Sequence, residues 1–119
     1  MALVLLAACG QPQALRGSGS RLPTIVSLNP CADAILAEVT QPGQILALSH
    51  YSADPRSGSM DPAKARQYRT TRGTLEEVIV LRPDLVIDGT FVLPATAAAY
   101  QRLGLRLETL GIASTVAES

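Results

Sequence analysis

From Thr24 onward, apolar residues come in short runs, separated by polar breaks that carry proline or glycine. Thr24 to Leu28 (TIVSL) is β-branched and apolar, which predicts a strand buried on both faces. Asn29-Pro30 ends it. Asn29 suits an N-cap, and Pro30 suits a first helical turn, where its missing N–H is not needed. Ile35, Leu36 and Val39 share one stripe, so an amphipathic helix is expected over residues 32–39, stopped by Gln41-Pro42-Gly43. Ile45 to Leu48 reads as a second buried strand. Thr74 to Leu81 reads as a helix, with Thr74 and Glu77 spaced as a capping box that satisfies two orphan N–H groups. Pro83-Asp84 breaks that helix, and Leu85-Val86-Ile87 follows as a third strand. Pro94 to Leu103 is alanine-rich and helical, with Gly104 placed to close it. Leu105 to Leu110 alternates weakly and reads as a fourth strand of edge character; Gly111 to Ser119 is too short to assign.

The order βαβαβαβ defines an α/β chain: a parallel four-stranded sheet flanked by helices and joined by right-handed crossovers. Ligands of such sheets sit at the carboxyl ends of the strands. Those ends are Asn29 to Cys31, Ser49 to Asp54 and Asp88 to Phe91. Between the second and third strands, Ser49 to Arg72 is long and polar, with turn signals at Asp54-Pro55, Ser57-Gly58-Ser59 and Asp61-Pro62. Asp61 is placed to cap a helical turn reaching Tyr68. A loop of this length inside a small domain is expected to be functional.

The N-terminal residues carry no such pattern. Met1 to Ala8 is wholly apolar, and Leu6-Ala7-Ala8-Cys9 resembles a bacterial lipobox. That resemblance implies a signal segment at 1–8, short and without a basic start, and a lipidated Cys9 that anchors the chain to a membrane. Gln11 to Arg21 (QPQALRGSGSR) reads as a flexible tether, so residues 9–23 are set apart from a folded unit at 24–119. With Cys9 lipidated, Cys31 has no partner and is expected as a small buried residue at a helix start.

Composition narrows the function. The chain has 119 residues, room for one modest core, and a formal net charge of zero. Arg66, Arg69 and Arg72 form the one basic cluster and read as a solvated face. With one Phe and no Trp there is no stacking platform either, so nucleic acid is not the expected partner. No nucleophile elbow or P-loop occurs, and Gly17-Ser18-Gly19 lies in the tether, away from any strand–helix junction. His50 is the single histidine, so a site built from several imidazoles is excluded, and no serine stands in a nucleophile context beside it. Asp84 and Asp88 flank one strand, and Asp84 reads as a turn-shaping residue. None of these observations marks an enzyme, a resident cofactor or a metal site.

Four segments, in order, carry a resemblance: TIVSLNPCADAIL, QILALSHYSADP, GTLEEVIVLRPDLVID and YQRLGLRLETLGI. Together they resemble the N-terminal lobe of a solute-binding protein of ABC importers for cobalamin and iron-siderophores. The resemblance covers Thr24 to about Glu118. It implies the Rossmann-like half of a two-lobe binding protein, with ligand held in the cleft between the lobes. It further implies a periplasmic or cell-surface location, an ABC permease as partner, and cobalamin, another corrinoid or a ferric siderophore as cargo. Carried onto this chain, Tyr51 matches a ligand-contacting aromatic, with His50 beside it, and Glu76 matches an acidic residue that docks on permease arginines. Asn29, Pro30, Cys31, Thr90 and Phe91 would line the cleft by fold position. For Tyr51 the alternative is a loop ring packed on its own lobe; for Glu76 it is a helix-start glutamate favoured by the dipole. The second lobe of the family is missing from the pattern, so a truncated gene product is expected. The rival function is a stand-alone protein-interaction module using the Glu76-Glu77 face.

Overall fold

The computed structural model describes residues 20–112 and 114–118. The expected signal segment, Cys9 and most of the tether lie outside the described residues. Five parallel strands form one sheet: β1 (Ile25–Ser27), β2 (Ile45–Ser49), β3 (Thr70–Thr71), β4 (Leu85–Gly89) and β5 (Arg106–Leu110), in the spatial order β3-β2-β1-β4-β5. The helices are α1 (Pro30–Val39), α2 (Pro62–Ala65), α3 (Leu75–Leu81) and α4 (Pro94–Arg102). A 3-10 turn, His50–Ala53, follows β2, and another spans Val116–Glu118.

The sheet thus has one strand more than the hydrophobic pattern predicts. β3 is two threonines in the long polar stretch, paired Leu48 to Thr70 and Ser49 to Thr71. Two residues are too few for periodicity to register. The other strands fall where expected. β1 sits at the centre, and its three residues are all buried, as a strand covered on both faces requires.

Each face of the sheet buries its own cluster. On one, Val26, Ala47 and Val86 pack with Val78 of α3 and Tyr100 of α4, all fully buried. On the other, Ile25 and Ile87 pack with Ala32 of α1, and Leu36 closes over them. This placement corrects the expected stripe of α1. Ala32 and Asp33 point inward, whereas Ile35 and Val39 are 62% and 68% exposed. The inward stripe runs 32/33–36, and a buried aspartate disguised it as polar.

Several caps behave as the residues dictate. Asn29 Oδ1 accepts from the N–H groups of Cys31 (2.9 Å) and Ala32 (3.3 Å), and Pro30 opens α1. Asp61 caps α2 through the Ala63 N–H at 2.8 Å, but the α-helix stops at Ala65, short of Tyr68. Gly104, at φ 71°, follows α4 in the left-handed region. Only half of the expected capping box forms. Thr74 Oγ1 accepts from the Glu77 N–H, but the Glu77 carboxylate accepts from the Arg72 N–H and the Thr71 hydroxyl. Glu77 therefore ties α3 to β3, and those two donors hold its carboxyl below the usual range, the hydroxyl bond contributing most.

The end of the tether is likewise held down. Arg21 makes two hydrogen bonds to Asp84, at 2.8 and 2.9 Å, and Gln44 Nε2 donates to the Pro23 carbonyl. Arg66, Arg69 and Arg72 are exposed, and they lie on a helix cap, a loop and a strand end, so their spacing marks no helix face.

Candidate functional site

All five strands run the same way, so their carboxyl ends and the loops that follow share one rim. Along it the chain places three features in order.

Beyond β1, β4 and β5 lies an open cleft of about 1050 Å³. Asn29, Pro30 and Cys31 line one wall; Thr90 and Phe91 line another. The structure thus brings together five of the residues singled out from the sequence. Their roles differ. Asn29 spends its side-chain oxygen on capping α1. Phe91 is 84% exposed, a large apolar ring facing solvent with no covering element. Cys31 is exposed rather than buried, with Sγ 3.6 Å from Ser59 Oγ, because the first turn of α1 projects beyond the sheet. Ile35, Leu110 and Ile112 complete an apolar lining that sequence reasoning missed. Ile35 has the spacing of a core stripe, and Leu110-Gly111-Ile112 follows a weakly alternating edge strand, so neither marks a cleft in the sequence. Among the cleft's lining residues the one charged side chain is Asp88, whose Oδ1 accepts from the Gly89 N–H at 2.7 Å.

Next along the rim, beyond β2, comes the turn His50–Ala53. Tyr51 and His50 sit here, beside the cleft and outside its lining. Tyr51 is 51% exposed and stacks on His50, with ring centroids 4.0 Å apart. His50 Nδ1 lies 3.3 Å from the Thr71 carbonyl of β3. Beneath the turn is Asp33, fully buried. Its Oδ2 accepts from the Ser49 N–H at 2.9 Å and the Ser52 hydroxyl at 2.6 Å. Burial pushes this carboxyl up, against the pull of Ser27, Ser52 and the Ser49 N–H. Neither Asp33 nor Ser52 was singled out from the sequence, where an aspartate inside a short helix carries no signal of burial.

At the far end, beyond β3, Glu76 is exposed on the first turn of α3. It borders a groove of about 390 Å³ between α3 and β3, with Val80 one turn on and 78% exposed. Among the described residues, no cluster of three or more His, Cys, Asp or Glu could hold a metal ion. None of the described helices is long and apolar enough to cross a membrane.

A parallel α/β lobe with an open, ligand-sized cleft at its carboxyl rim has the form of one half of a two-lobe binding protein. The chain belongs to the periplasmic binding protein family, whose pattern it matches over residues 25–119. No characterised protein sequence matches it significantly. Solved structures do. A periplasmic haem-binding protein from Pseudomonas aeruginosa superposes with a TM-score of 0.63 at 19% identity, over 82% of this chain and 34% of that one. The periplasmic haem-binding protein RhuT from Roseiflexus gives 0.57 at 22%, over 75% and 34%. The periplasmic vitamin B12-binding protein BtuF of Vibrio cholerae gives 0.54 at 25%, over 73% and 33%. The chain therefore spans about a third of the length of these structures.

Proposed function

We propose that this chain forms the N-terminal lobe of the solute-binding component of an ABC importer, and that it offers a corrinoid or related tetrapyrrole to a permease. The observation that carries this reading is the lining of the rim cleft. It is largely aliphatic and aromatic with a few polar groups, and its described lining residues include no Lys or Arg. A corrinoid, whose cobalt already carries its own axial ligands, needs apolar contact and no protein ligand to its metal. A ferric catecholate siderophore carries net negative charge and would call for cations, and the nearest charge here is Asp88. The tetrapyrrole reading is thus favoured over the siderophore one, in keeping with the haem and vitamin B12 named for the similar structures.

Tyr51 is the second support. An exposed ring on a short turn can lie against a planar ligand and still present its hydroxyl. Glu76 supplies the docking side, where a rim carboxylate steers a basic partner more than it adds affinity. The location proposed is the periplasm or cell surface, with Cys9 as a lipid anchor. One lobe buries one face of a ligand, so binding by this chain alone is expected to be weak.

The test is a titration of cyanocobalamin, and separately of haemin, into the chain, followed by absorbance. Saturable binding of one of them is expected, weakened about five- to ten-fold by Tyr51→Ala or Phe91→Ala, the scale of one lost aromatic contact. No saturable binding of either, or equal affinity in both variants, would sink the reading.

A further inference from the structure

Asp33 is an odd residue to bury. It is fully enclosed, and its Oδ2 takes two donors from a single stretch of chain, the Ser49 N–H and the Ser52 hydroxyl. Those donors bracket His50 and Tyr51. Further bonds close the same turn: the Tyr51 N–H donates to Ser49 Oγ at 3.3 Å, and the Asp54 N–H to the Tyr51 carbonyl at 3.0 Å. A separate constraint acts from the other side. A Cβ on Gly58 would lie 2.8 Å from the Ser52 carbonyl oxygen and 3.1 Å from those of Asp54 and Tyr51. All three are backbone atoms, so no side chain fits there without moving the turn.

We propose that Asp33 is a positioning residue: with Ser52 beneath and Gly58 alongside, it holds the turn His50–Ala53 so that the Tyr51 ring is presented at the rim beside the cleft. A buried carboxylate is poor material for stability alone, since an apolar residue would avoid its desolvation. It is good material for fixing a turn, because an acceptor this strong leaves its two donors one geometry. The importance of that geometry for ligand rests on the assignment of Tyr51 above; the positioning itself does not.

The experiment reads both separately on the 119-residue chain. Proton NMR of the free protein follows the cross-relaxation between the His50 and Tyr51 rings, and cyanocobalamin titration follows affinity. Ser52→Ala is expected to abolish the ring contact and to weaken cyanocobalamin binding about ten-fold, the scale of losing a hydrogen bond to a charged acceptor, and Gly58→Ala is expected to do the same by displacing the turn. Asp33→Ala is expected to do the same and to speed exchange of the Ser49 amide. Asp33→Asn, whose single oxygen can accept both bonds, is expected to restore most of what the alanine variant loses. Leu107→Ala, remote from the turn, controls for lost stability and should keep the ring contact. A ring contact of wild-type strength in both Ser52→Ala and Gly58→Ala would overturn the proposal, whether or not Asp33→Ala folds. A lost ring contact with unchanged affinity would uphold the positioning and remove Tyr51 from the ligand site.

Discussion

Two aspartates of this chain answer pH in opposite senses. Asp84 accepts from both Arg21 nitrogens, the Thr24 N–H and the Thr24 hydroxyl, which fastens the start of β1 to the start of β4. Those donors, the Arg21 bonds first, hold its carboxyl down at about 2. A depressed carboxyl stabilises the fold above its unfolded value, about 3.9, and that contribution is lost as pH falls toward about 2. Asp33 has a raised carboxyl, so its ionisation weighs against the fold, and that cost is relieved as pH falls toward the unfolded value. Asp84→Asn is therefore expected to flatten the acid limb of thermal stability below about pH 4, while Asp33→Asn removes a gain that comes above about pH 4 and so steepens the fall there. Melting curves across this range check both. If wild type and Asp84→Asn fall in parallel, the Arg21–Asp84 contact does not contribute.

At the scale of elements, the junction of α3 and β4 shows what the residues dictate. Arg82 closes α3 in the left-handed region at φ 48°, its N–H bonded to the Ile79 carbonyl. Pro83 is buried behind it, and Leu85 starts the next strand. A non-glycine residue pays about 1–2 kcal/mol in that conformation, and glycine gives back about 0.5–1 kcal/mol in the unfolded chain. Arg82→Gly is thus expected to stabilise by roughly 0.5–1 kcal/mol, read as a shift in denaturation midpoint with an unchanged slope; a loss of stability would mean that the arginine side chain outweighs the strain. Junctions of this kind were legible in the sequence because Pro, Gly and β-branched residues act locally. The same holds for Asn29 as a cap and for Gly104. What escaped were features decided by distant partners. β3 exists because Leu48 and Ser49 offer it a ladder, Glu77 turns to Thr71 and Arg72 instead of its own helix start, and Asp33 is buried because β2 ends above it. The five cleft residues named from strand ends were legible for a topological reason: parallel strands put their carboxyl ends on one rim.

For the molecule as a whole, that rim sets the three features, to which the proposed function gives separate duties, at different strands of the sheet. The apolar cleft lies beyond β1, β4 and β5, the Tyr51 turn beyond β2, and Glu76 beyond the edge strand β3. Glu76 is not among the described lining residues of the cleft, so a substitution there and one in the cleft are expected to act nearly additively. Glu76 is exposed and Val80 stands one turn away, so the α3 face offers a charge beside an apolar contact. On the proposed assignment of Glu76 to docking, reversing the charge should act on docking alone. Glu76→Lys is expected to leave the cyanocobalamin affinity within about two-fold of wild type. It is also expected to weaken association with vesicles that hold the partner permease, by slowing the approach of the two proteins. Because exposed charges are screened, the gap between wild type and variant should narrow as salt rises from about 50 to 500 mM. Co-sedimentation at the two salt concentrations measures this. Equal docking of the two proteins at low salt would take Glu76 out of the interface and leave the α3 groove without a partner.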